Sequence, residues 1–498
     1  MAQRIRSFIT TALVIALGTV ALGGPAEAAD APRPSQAGRW LLDPDGRVLV
    51  LHGVNMVNKT GSHEPGATGF DADDAAFLAE NGFTTVRLGL IWKAVEPEPG
   101  EYDDAYLESV RETTELLAAE GIWTLLDFHQ DLYAERFQGE GAPDWAVQDD
   151  GLPAQPALGF PFNYFGMPAL WRAFDHFWNN DPGPGGVGLQ DRYAAAWTHV
   201  AEYFSATPGV MGYDLFNEPW PGTGYAVCLN PGGCPGFDKK LSAFSQKTTD
   251  AIRTVDQDTV SFYEPNVLFN SGARTSVKVG GDNLGFSFHD YCLFDVVPVP
   301  ETLGLERPVC IVLDRILWAN MERHVRQQNV TPLLTEFGAS DRLANIADLV
   351  DRAASHRTGW QYWAYCGCGD PTTTGGNDKQ ALVFDPQQPP TGSNLKTDKL
   401  KVLAIPHPTA VSGTPVSYAF NRTSGRFTLT YSTLKAAGGG RFADGAQTTI
   451  AVPDIHYPNG YTVDVTGGTV VSAPNASELV VEQDGLGTLP IRVVVTRN

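Results

Sequence analysis

The sequence predicts a (β/α)8 barrel followed by a small β-sandwich, and three observations lead to this prediction. First, strand-like apolar runs alternate with helical patterns between residues 48 and 365, as in the βα units of a parallel sheet. Second, eight such strands over about 350 residues match the strand number and size of a barrel with insertions. Third, beyond residue 405 the helical patterns stop, and short strand-like runs alternate with turn residues.

Each predicted element follows from its local pattern. The barrel strands are predicted at residues 48–54, 84–90, 123–128, 210–216, 260–264, 284–288, 332–337 and 359–365. The helices between them are predicted at 73–80, 105–119, 190–204, 238–255, 311–326 and 346–356. The sandwich strands are predicted at 416–420, 426–431, 448–452, 461–465, 468–471, 479–482 and 491–496. An open doubly wound sheet is the alternative, but no glycine-rich phosphate loop follows the first strand.

The N-terminal residues have the pattern of an export signal. Arg4 and Arg6 precede an apolar run that ends in Ala26-Glu27-Ala28, a typical cleavage pattern. The run is short for a membrane span. We therefore expect a signal peptide at residues 1–28, cleavage near Ala28, and secretion. The barrel domain is then expected at 29–404 and the β-sandwich at 405–498.

Composition restricts the possible partners. The chain has 498 residues, of which 43% are hydrophobic and 18% charged, so it can build a large core. Its formal net charge is −22, which argues against nucleic acid as a partner and against electrostatic docking on anionic membranes. We expect a monomer that needs no cofactor.

The six cysteines come in three sequence pairs, in keeping with an exported chain. The pairs are Cys228 with Cys234, Cys292 with Cys310, and Cys366 with Cys368. Pairing of near neighbours is the simplest connectivity, although the sequence leaves others open. Each pair follows a predicted strand end, so we expect the disulfides to hold loops around the site. A zinc site is the alternative, but the spacings lack a C-x-x-C repeat and no histidine cluster lies near, so we expect no metal.

Two carboxylates end two predicted strands. Glu218 stands in the sequence DLFNEP at 214–219, where the proline stops the strand, and Glu336 ends a similar run at 332–337. Glycoside hydrolysis needs one protonated carboxyl for the leaving oxygen and one ionised carboxylate that attacks or activates water. We assign Glu218 as the acid/base and Glu336 as the nucleophile. The alternative is that both are ordinary strand-end carboxylates.

Other polar and aromatic residues fall at the same strand ends, which meet at the mouth of a barrel. The predicted substrate-binding residues are Lys59, Arg87, His129, Asp131, Asn217, His289, Tyr291 and Trp363. Arg87 is expected to hold Glu336 ionised, and Tyr291 to donate a hydrogen bond to the same carboxylate. Asn217 is expected to hold the sugar 2-hydroxyl, and Trp363 to offer a flat face to a sugar ring. Singly, each has an ordinary structural explanation, and only the set is informative.

Glu264 also ends a predicted strand. Because the catalytic pair is already complete, we interpret it as a supporting residue behind that pair.

The order Arg, His, Asn-Glu-Pro, His-x-Tyr, Glu, Trp resembles the clan A glycoside hydrolases, and family 5 in particular, over residues 40–406. The stretches NMVNK at 55–59, LLDFHQDLY at 125–133 and GAPDWA at 141–146 are similar to those of the endoglycoceramidases. Those secreted enzymes cut the β-linkage between an intact oligosaccharide and ceramide. A β-sandwich after the barrel is also typical of them.

This resemblance implies a retaining double displacement with a glycosyl-enzyme on Glu336. It also implies that Lys59, His129 and Asp131 contact the sugar next to the scissile bond, and that the substrate is a glycosphingolipid met transiently at a micelle or membrane surface. Within family 5, a galactosylceramide-selective endoglycosidase, a steryl β-glucosidase and a β-glucanase are alternatives. A non-catalytic carbohydrate-binding barrel is the alternative from another functional class.

A lipid substrate requires apolar surface, and the sequence offers a candidate. Residues 159–178 contain ten large apolar side chains in the connection between the third and fourth predicted strands. A second apolar stretch, 293–303, follows the sixth. We expect the two to line a channel that leads away from Glu218. The alternative is that they pack the insertion onto the barrel.

Overall fold

The protein is described by a computed structural model over residues 32–291, 306–373, 376–484 and 490–498. Eight parallel strands close into a barrel in chain order, which confirms the predicted fold class. We number them one to eight: His52–Met56, Thr85–Ile91, Trp123–His129, Val210–Asp214, Val260–Tyr263, Leu284–Asp290, Thr331–Phe337 and Gly359–Tyr362. These strands are buried on both faces, so their sequences are nearly continuous apolar runs.

The six predicted helices are all present around the barrel. Their bounds are Ala72–Glu80, Asp104–Ala119, Leu189–Phe204, Pro235–Ile252, Glu306–Gln328 and Leu343–His356. Shorter helices lie at Trp92–Val95, Asn163–Gly166, Pro168–Trp178, Tyr225–Cys228, Asn377–Gln380 and Thr397–Leu403. Single 3-10 turns lie at Pro65–Thr68, Glu135–Phe137, Asp144–Ala146, Pro184–Gly186, Gly222–Gly224, Val267–Ser271, Gly392–Asn394 and Asp454–His456. None of the helices that the structure describes is both long and apolar enough to span a membrane.

Local sequence explains where several helices begin. Asp71 accepts a hydrogen bond from the backbone of Asp73 and forms a capping box at the start of Ala72–Glu80. Asp103 accepts from two backbone amides at the start of Asp104–Ala119. Pro235 is the first residue of its helix, where the missing backbone donor costs little.

The C-terminal domain is built from two antiparallel sheets. The larger sheet has the order Ser35–Ala37, Trp40–Leu42, Val48–Leu49, His407–Val411, Gln447–Ala451, Glu478–Gln483 and Gly468–Val470. The smaller has the order Thr414–Asn421, Arg426–Ser432, Ile491–Arg497 and Tyr461–Thr466. Alternating burial along Arg426–Ser432 shows that one face of the smaller sheet is turned to the core.

Three strands from the N-terminal segment belong to this larger sheet. The predicted first barrel strand, 48–54, divides into two: Val48–Leu49 pairs with His407–Val411, and His52–Met56 joins the barrel. The sequence could not show this division, because the apolar run continues across it. His52 and His407 also connect the two domains, since their buried rings stack with centroids 3.6 Å apart.

The barrel interior has an apolar end and a polar end. A plug of apolar side chains that includes Leu125, Phe262 and Leu333 fills the amino end of the strands. Phe262 fits because Gly285 has no side chain, and a Cβ there would lie 2.1 Å from the ring. Two residues further along the same strands as Leu125 and Leu333, Asp127 and Thr335 also point inward. The polar layer therefore lies toward the carboxyl ends, where the site is.

Candidate active site

Arg87, on strand two, lies at the centre of the polar layer and has no solvent exposure. Its guanidinium contacts four carboxylates: Asp127 at 3.0 Å, Asp214 at 2.9 Å, Glu264 at 3.3 Å and Glu336 at 2.6 Å. Burial alone would lower the pKa of Arg87, but these carboxylates raise it above its usual range. A buried charge needs such partners, and the rigid fork of arginine lets one side chain hold several strands together.

Glu336 ends strand seven and receives a hydrogen bond on each carboxylate oxygen. Arg87 Nη1 donates to Oε1 at 2.6 Å, and the hydroxyl of Tyr291 donates to Oε2 at 2.9 Å. Two donors, one of them charged, stabilise an anionic carboxylate and fix its orientation. This is the environment that a carboxylate nucleophile needs.

Glu218 follows strand four and has a different environment. Its Oε1 lies 2.9 Å from Nδ1 of His289 and accepts a hydrogen bond from Asn270 at 3.1 Å. Its own backbone amide donates to Glu264 Oε2 at 2.9 Å, which supports a backbone with the unusual φ of 46°. Burial raises the pKa of the Glu218 carboxyl, and the negative charge of Glu336 raises it further. A raised pKa suits a general acid.

The two carboxylates are close together. One carboxylate oxygen of Glu218, one of Glu336 and a ring nitrogen of His289 all lie within 4.8 Å of one another. The His289 ring is also 3.4 Å from Glu264. Burial opposes a charge on this ring, but Glu336 and Glu264 raise the pKa of His289 well above its usual value. The His289 ring, which lies beside both carboxylates, is therefore protonated more readily than an ordinary histidine.

Two contacts within the protein hold the Asn217 side chain before a substrate binds. Its side-chain oxygen accepts from Arg87 at 2.9 Å, and its amide donates to the backbone oxygen of Gln130 at 3.0 Å. The second hydrogen of the Asn217 side-chain amide is therefore the one that can make the predicted contact with a sugar hydroxyl.

Lys59 forms the centre of a second buried cluster, beyond strand one. Its Nζ lies 2.6 Å from Asp131, 3.3 Å from Asp370 and 3.6 Å from Glu140, and it donates to Thr372 Oγ1 at 2.8 Å. Burial alone would lower the pKa of Lys59, but the three carboxylates raise it well above its usual value. Burial likewise opposes a charge on Asp131, and Lys59 holds the pKa of Asp131 well below its usual range. Lys59 and Asp131 are thus a fixed ion pair.

His129 and Trp363 extend this cluster toward the barrel centre. Nδ1 of His129 lies 2.7 Å from Asp127, which raises the pKa of the buried ring to about 9 against the effect of burial. The ring stacks on Trp363 with centroids 5.2 Å apart, and Lys59 Nζ is 4.5 Å from the Trp363 centroid. Trp363 is only 6% exposed, so these residues cover much of the face that we expected for a sugar.

Comparison with known families decides the class of the protein. The family Cellulase (glycosyl hydrolase family 5) matches residues 46–369, and the glycoside hydrolase family 5 C-terminal domain matches residues 406–495. The chain belongs to glycosyl hydrolase family 5. This confirms the predicted family, and the chain is a glycoside hydrolase.

Relatives of this family 5 enzyme are similar over nearly its whole length. Endoglycoceramidase I of Rhodococcus hoagii is 32% identical over 92% of this chain and 87% of the relative. Endo-glycoceramidase II from Rhodococcus sp., solved as a lactosyl-enzyme intermediate, is 30% identical with a TM-score of 0.74, covering 92% of this chain and 99% of that one. The same protein solved as a ganglioside GM3 complex is 29% identical, with the same TM-score and coverage.

Sequence analysis of this family 5 enzyme missed four residues of the site. Glu140 and Asp370 contact Lys59, Asn270 contacts Glu218, and the side chain of Gln130 donates to the backbone of Asn217 at 2.8 Å. Glu140 has no exposure, and burial raises its pKa well above its usual value. Apart from Gln130, which adjoins His129, these residues lie in loops or a single 3-10 turn beyond the strand ends, where no periodic pattern marks them.

Two groups of side chains have ligand types that could hold a metal. They are His129, Asp131 and Glu140, and Glu218, His289 and Glu336. Positive charge already stands beside both groups, because Lys59 lies 2.6 Å from Asp131 and Arg87 lies 2.6 Å from Glu336. The arrangement can exchange protons without a metal ion, and the absence of a metal stays a prediction.

Disulfides hold loops next to the site of this enzyme. Cys228 pairs with Cys234 after strand four, and Cys366 pairs with Cys368 shortly before Asp370. Cys310 is also disulfide-bonded. Its predicted partner, Cys292, lies outside the described residues.

The aromatic stretch at 159–178 divides into buried and exposed side chains. Most of the stretch fits the alternative that its side chains pack the insertion onto the barrel. Six of them are buried in the core: Tyr164, Met167, Leu170, Phe174, Phe177 and Trp178. Phe162 and Phe165 are instead 44% and 42% exposed. The second predicted stretch, 293–303, lies outside the described residues.

Proposed function

We propose that the protein is a secreted, retaining endoglycoceramidase that hydrolyses the β-glycosidic bond between the oligosaccharide and ceramide of glycosphingolipids. The observation that carries the proposal is the pair of unlike carboxylates, Glu218 and Glu336, of which one oxygen each lies within 4.8 Å of the other. Such close oxygens fit a retaining enzyme, whose carboxyl groups lie about 5–5.5 Å apart so that one of them can attack directly. Similarity to endoglycoceramidases over most of the chain supports the substrate class.

In the first step, Glu336 attacks the anomeric carbon of the sugar that is linked to ceramide. The carbon forms a bond to a Glu336 oxygen as its bond to the ceramide oxygen breaks. Glu218 gives its proton to that oxygen, so ceramide leaves as a neutral alcohol. Arg87 and Tyr291 hold Glu336 for the attack through their hydrogen bonds of 2.6 and 2.9 Å.

In the second step, Glu218 is ionised and accepts a proton from water, whose oxygen attacks the anomeric carbon. The bond to Glu336 breaks, and the glycan leaves with its original configuration. His289 lies 2.9 Å from Glu218 and 3.5 Å from Glu336. A proton on this ring stabilises whichever of the two carboxylates is ionised.

Exposed apolar side chains lie around the segment that follows Glu218, and we assign them to the ceramide. Phe165 packs against Trp220 at 5.3 Å and Tyr225 at 5.8 Å between ring centroids, and Trp220 is two residues from Glu218. We define this lipid-facing patch by its exposed side chains: Leu158, Phe162, Phe165, Val227 and Leu229, which are 42–70% exposed. Each methylene that ceramide buries there contributes about 0.8 kcal/mol, so the patch supplies affinity that the acidic net charge does not.

Secretion is supported by the leader at residues 1–28, which lies outside the described residues. Amino-terminal sequencing of protein recovered from the culture medium of its source tests this part. A chain that begins near residue 29 is expected, whereas an intact leader in the cell fraction would contradict secretion.

Product analysis tests the reaction itself. The enzyme is incubated with lactosylceramide in detergent micelles, with an aryl β-lactoside and with a soluble β-glucan, and the products are identified by mass spectrometry. Intact lactose and ceramide are expected, with the β-anomer formed first in the NMR spectrum. Sequential release of single sugars, cleavage of the glucan alone, or an α-anomer as first product would each contradict the proposal.

A further inference from the structure

A polar cavity of about 580 Å³ lies beside the Lys59 cluster. The loop after strand one and the loops after strand eight form its walls, and Asn58, Thr60 and Gly369 are among its lining residues. Ligand pockets are typically about 300–1,000 Å³, so the cavity is large enough for a small ligand.

Several residues that line the cavity are chain neighbours of residues in the Lys59 cluster. Asn58 and Thr60 flank Lys59 in the chain, and Gly369 precedes Asp370, which lies 3.3 Å from Lys59. Strands one and eight lie across the closed barrel from strands four and five, where Glu218 and the lipid-facing patch begin. A glycan that extends from the catalytic pair to the side opposite ceramide extends toward strands one and eight, whose following loops form this cavity.

The lining of the cavity has the chemistry of a sugar site. Hydroxyl and amide groups come from Asn58, Thr60, Ser62 and Asn377, and these can exchange hydrogen bonds with sugar hydroxyls. Phe384 adds an aromatic side chain that is 43% exposed. Aromatic faces next to polar groups fit the alternating apolar and hydroxyl-bearing surfaces of a pyranose ring.

The ionisable side chains that line the cavity are all acidic. Asp378 and Asp385 are its only ionisable side chains, and lysine, arginine and histidine are absent from the lining residues, all of which lie in the described part of the chain. Lys396 lies 5.1 Å from the Phe384 ring, but its Nζ is bound to Asp341 at 2.7 Å. An anionic sugar placed here would meet two carboxylates of the lining, and Lys396 beside them is already paired with Asp341.

We propose that this cavity binds the third and later sugars of the glycan, and that it selects neutral glycans over those with a sialic acid at that place. The inference rests on the proposed function and deepens it, since it names which glycosphingolipids are preferred. Asp378 and Asp385 are the specificity-determining residues.

Three glycolipids with the same ceramide test the inference: a lactosyl form, the same form extended by a neutral third sugar, and the same form extended by sialic acid. At low ionic strength, kcat/KM is expected to be at least about fivefold higher for the neutral trisaccharide than for the sialylated one. Because salt screens exposed charges, the ratio is expected to shrink at about 0.5 M salt. Equal kcat/KM for the two extended substrates, or a ratio that salt does not change, would overturn the inference.

A charge-matched pair of variants separates the cavity from the net charge of the whole protein. Asp378→Asn with Asp385→Asn is expected to raise kcat/KM on the sialylated substrate and to bring the ratio close to one. Asp454→Asn with Asp464→Asn makes the same change in net charge at exposed positions on the sandwich and is expected to keep the original ratio. Equal changes in both double variants would assign the preference to net charge and overturn the role of the cavity.

The lactosyl substrate distinguishes the two proposals. If it is cleaved to lactose and ceramide while the extended substrates are not discriminated, only the inference about the cavity fails. If it is not cleaved, the proposed function fails and the inference fails with it. Melting temperatures of all variants show that the comparison is made between folded proteins.

Discussion

The two sides of the barrel mouth differ in what they bury. On the side of strands one and eight, Lys59, Asp131 and Asp370 are at most 6% exposed, and Lys59 forms an ion pair with each aspartate. On the side of strand four, the lipid-facing patch leaves Phe162 and Phe165 more than 40% exposed. The mouth thus buries its charges and exposes part of its apolar surface, which is the reverse of an ordinary protein surface.

This difference indicates how each side of the mouth contributes to the free energy of ligand binding. Buried charges are costly unless they are paired, so the charged side is already ordered before a ligand arrives. An exposed apolar patch loses its contact with water only when a ligand covers it. We therefore expect changes on the charged side to affect every glycoside and changes on the apolar side to affect lipid substrates alone. Glu218 and Glu336 lie between the two sides.

The largest effect is expected at the catalytic pair, because neither side of the mouth can compensate for the loss of Glu336 or Glu218. Glu336→Ser should abolish cleavage of both a glycosphingolipid and a soluble aryl glycoside, because no glycosyl-enzyme can form. Glu218→Gln should lose about 10²–10⁴-fold on substrates whose leaving group needs a proton, yet retain the first step for a dinitrophenyl leaving group. Burst and steady-state kinetics on both kinds of substrate measure this. Equal loss of the first step on both kinds in Glu218→Gln would contradict the assigned roles.

The pH dependence of kcat/KM tests the role of Glu218, which lies between the two sides. Burial raises the pKa of Glu218, so the acid form that the first step requires persists to higher pH than for an ordinary glutamate. As the pH rises through that raised pKa, Glu218 loses its proton and kcat/KM should fall for both lipid and soluble substrates whose leaving group needs a proton. The dinitrophenyl glycoside, whose leaving group needs no proton, should show no such alkaline limb even with the wild-type enzyme. An alkaline limb at the same pH on the dinitrophenyl glycoside would have to come from a group other than Glu218.

A smaller but still general effect is expected on the charged side. Lys59→Met leaves Asp131 and Asp370 without their cation, and breaking such a buried pair typically costs about 3–5 kcal/mol of stability. We expect kcat/KM to fall about a hundredfold on lipid and soluble substrates alike. Thr372→Val keeps Lys59 and removes only a neutral hydroxyl that bonds Lys59, Asp131 and Asp370, so it should cost about tenfold or less. A loss confined to the lipid substrate would contradict the division of the mouth.

The smallest effect is expected on the apolar side, and for one substrate only. Phe162→Ser with Phe165→Ser should reduce kcat/KM on a long-chain ceramide substrate about thirtyfold, since lost contact with two or three methylenes costs roughly 2 kcal/mol. Hydrolysis of a soluble aryl lactoside should hardly change.

Val416→Ser with Val471→Ser is the control, because these exposed valines lie on the sandwich at 50% and 48% exposure. The control should leave both substrates unchanged. An equal fall on both substrates in the phenylalanine variant would mean that these side chains only pack the insertion.

Much of the fold could be predicted because its signals are local. Apolar runs that end in a polar residue and a proline, as at Asp214 to Pro219, mark a strand and its carboxyl end without knowledge of the rest of the chain. Since the carboxyl ends of barrel strands meet, the order of Arg87, Glu218 and Glu336 along the chain was enough to expect them together. The structure places Arg87 2.6 Å from Glu336.

The sequence alone thus determined the fold class and the residues that the strand ends bring to the mouth, because both follow from short-range patterns. Only the tertiary structure decided that Glu140 and Asp370 approach Lys59, that Asn270 approaches Glu218, and which aromatic residues remain exposed. Those contacts join loops that are far apart in the chain, and a loop has no periodicity to reveal its direction. The N-terminal strands joined the larger sandwich sheet for the same reason, since pairing with His407–Val411 is a contact across more than 350 residues of chain.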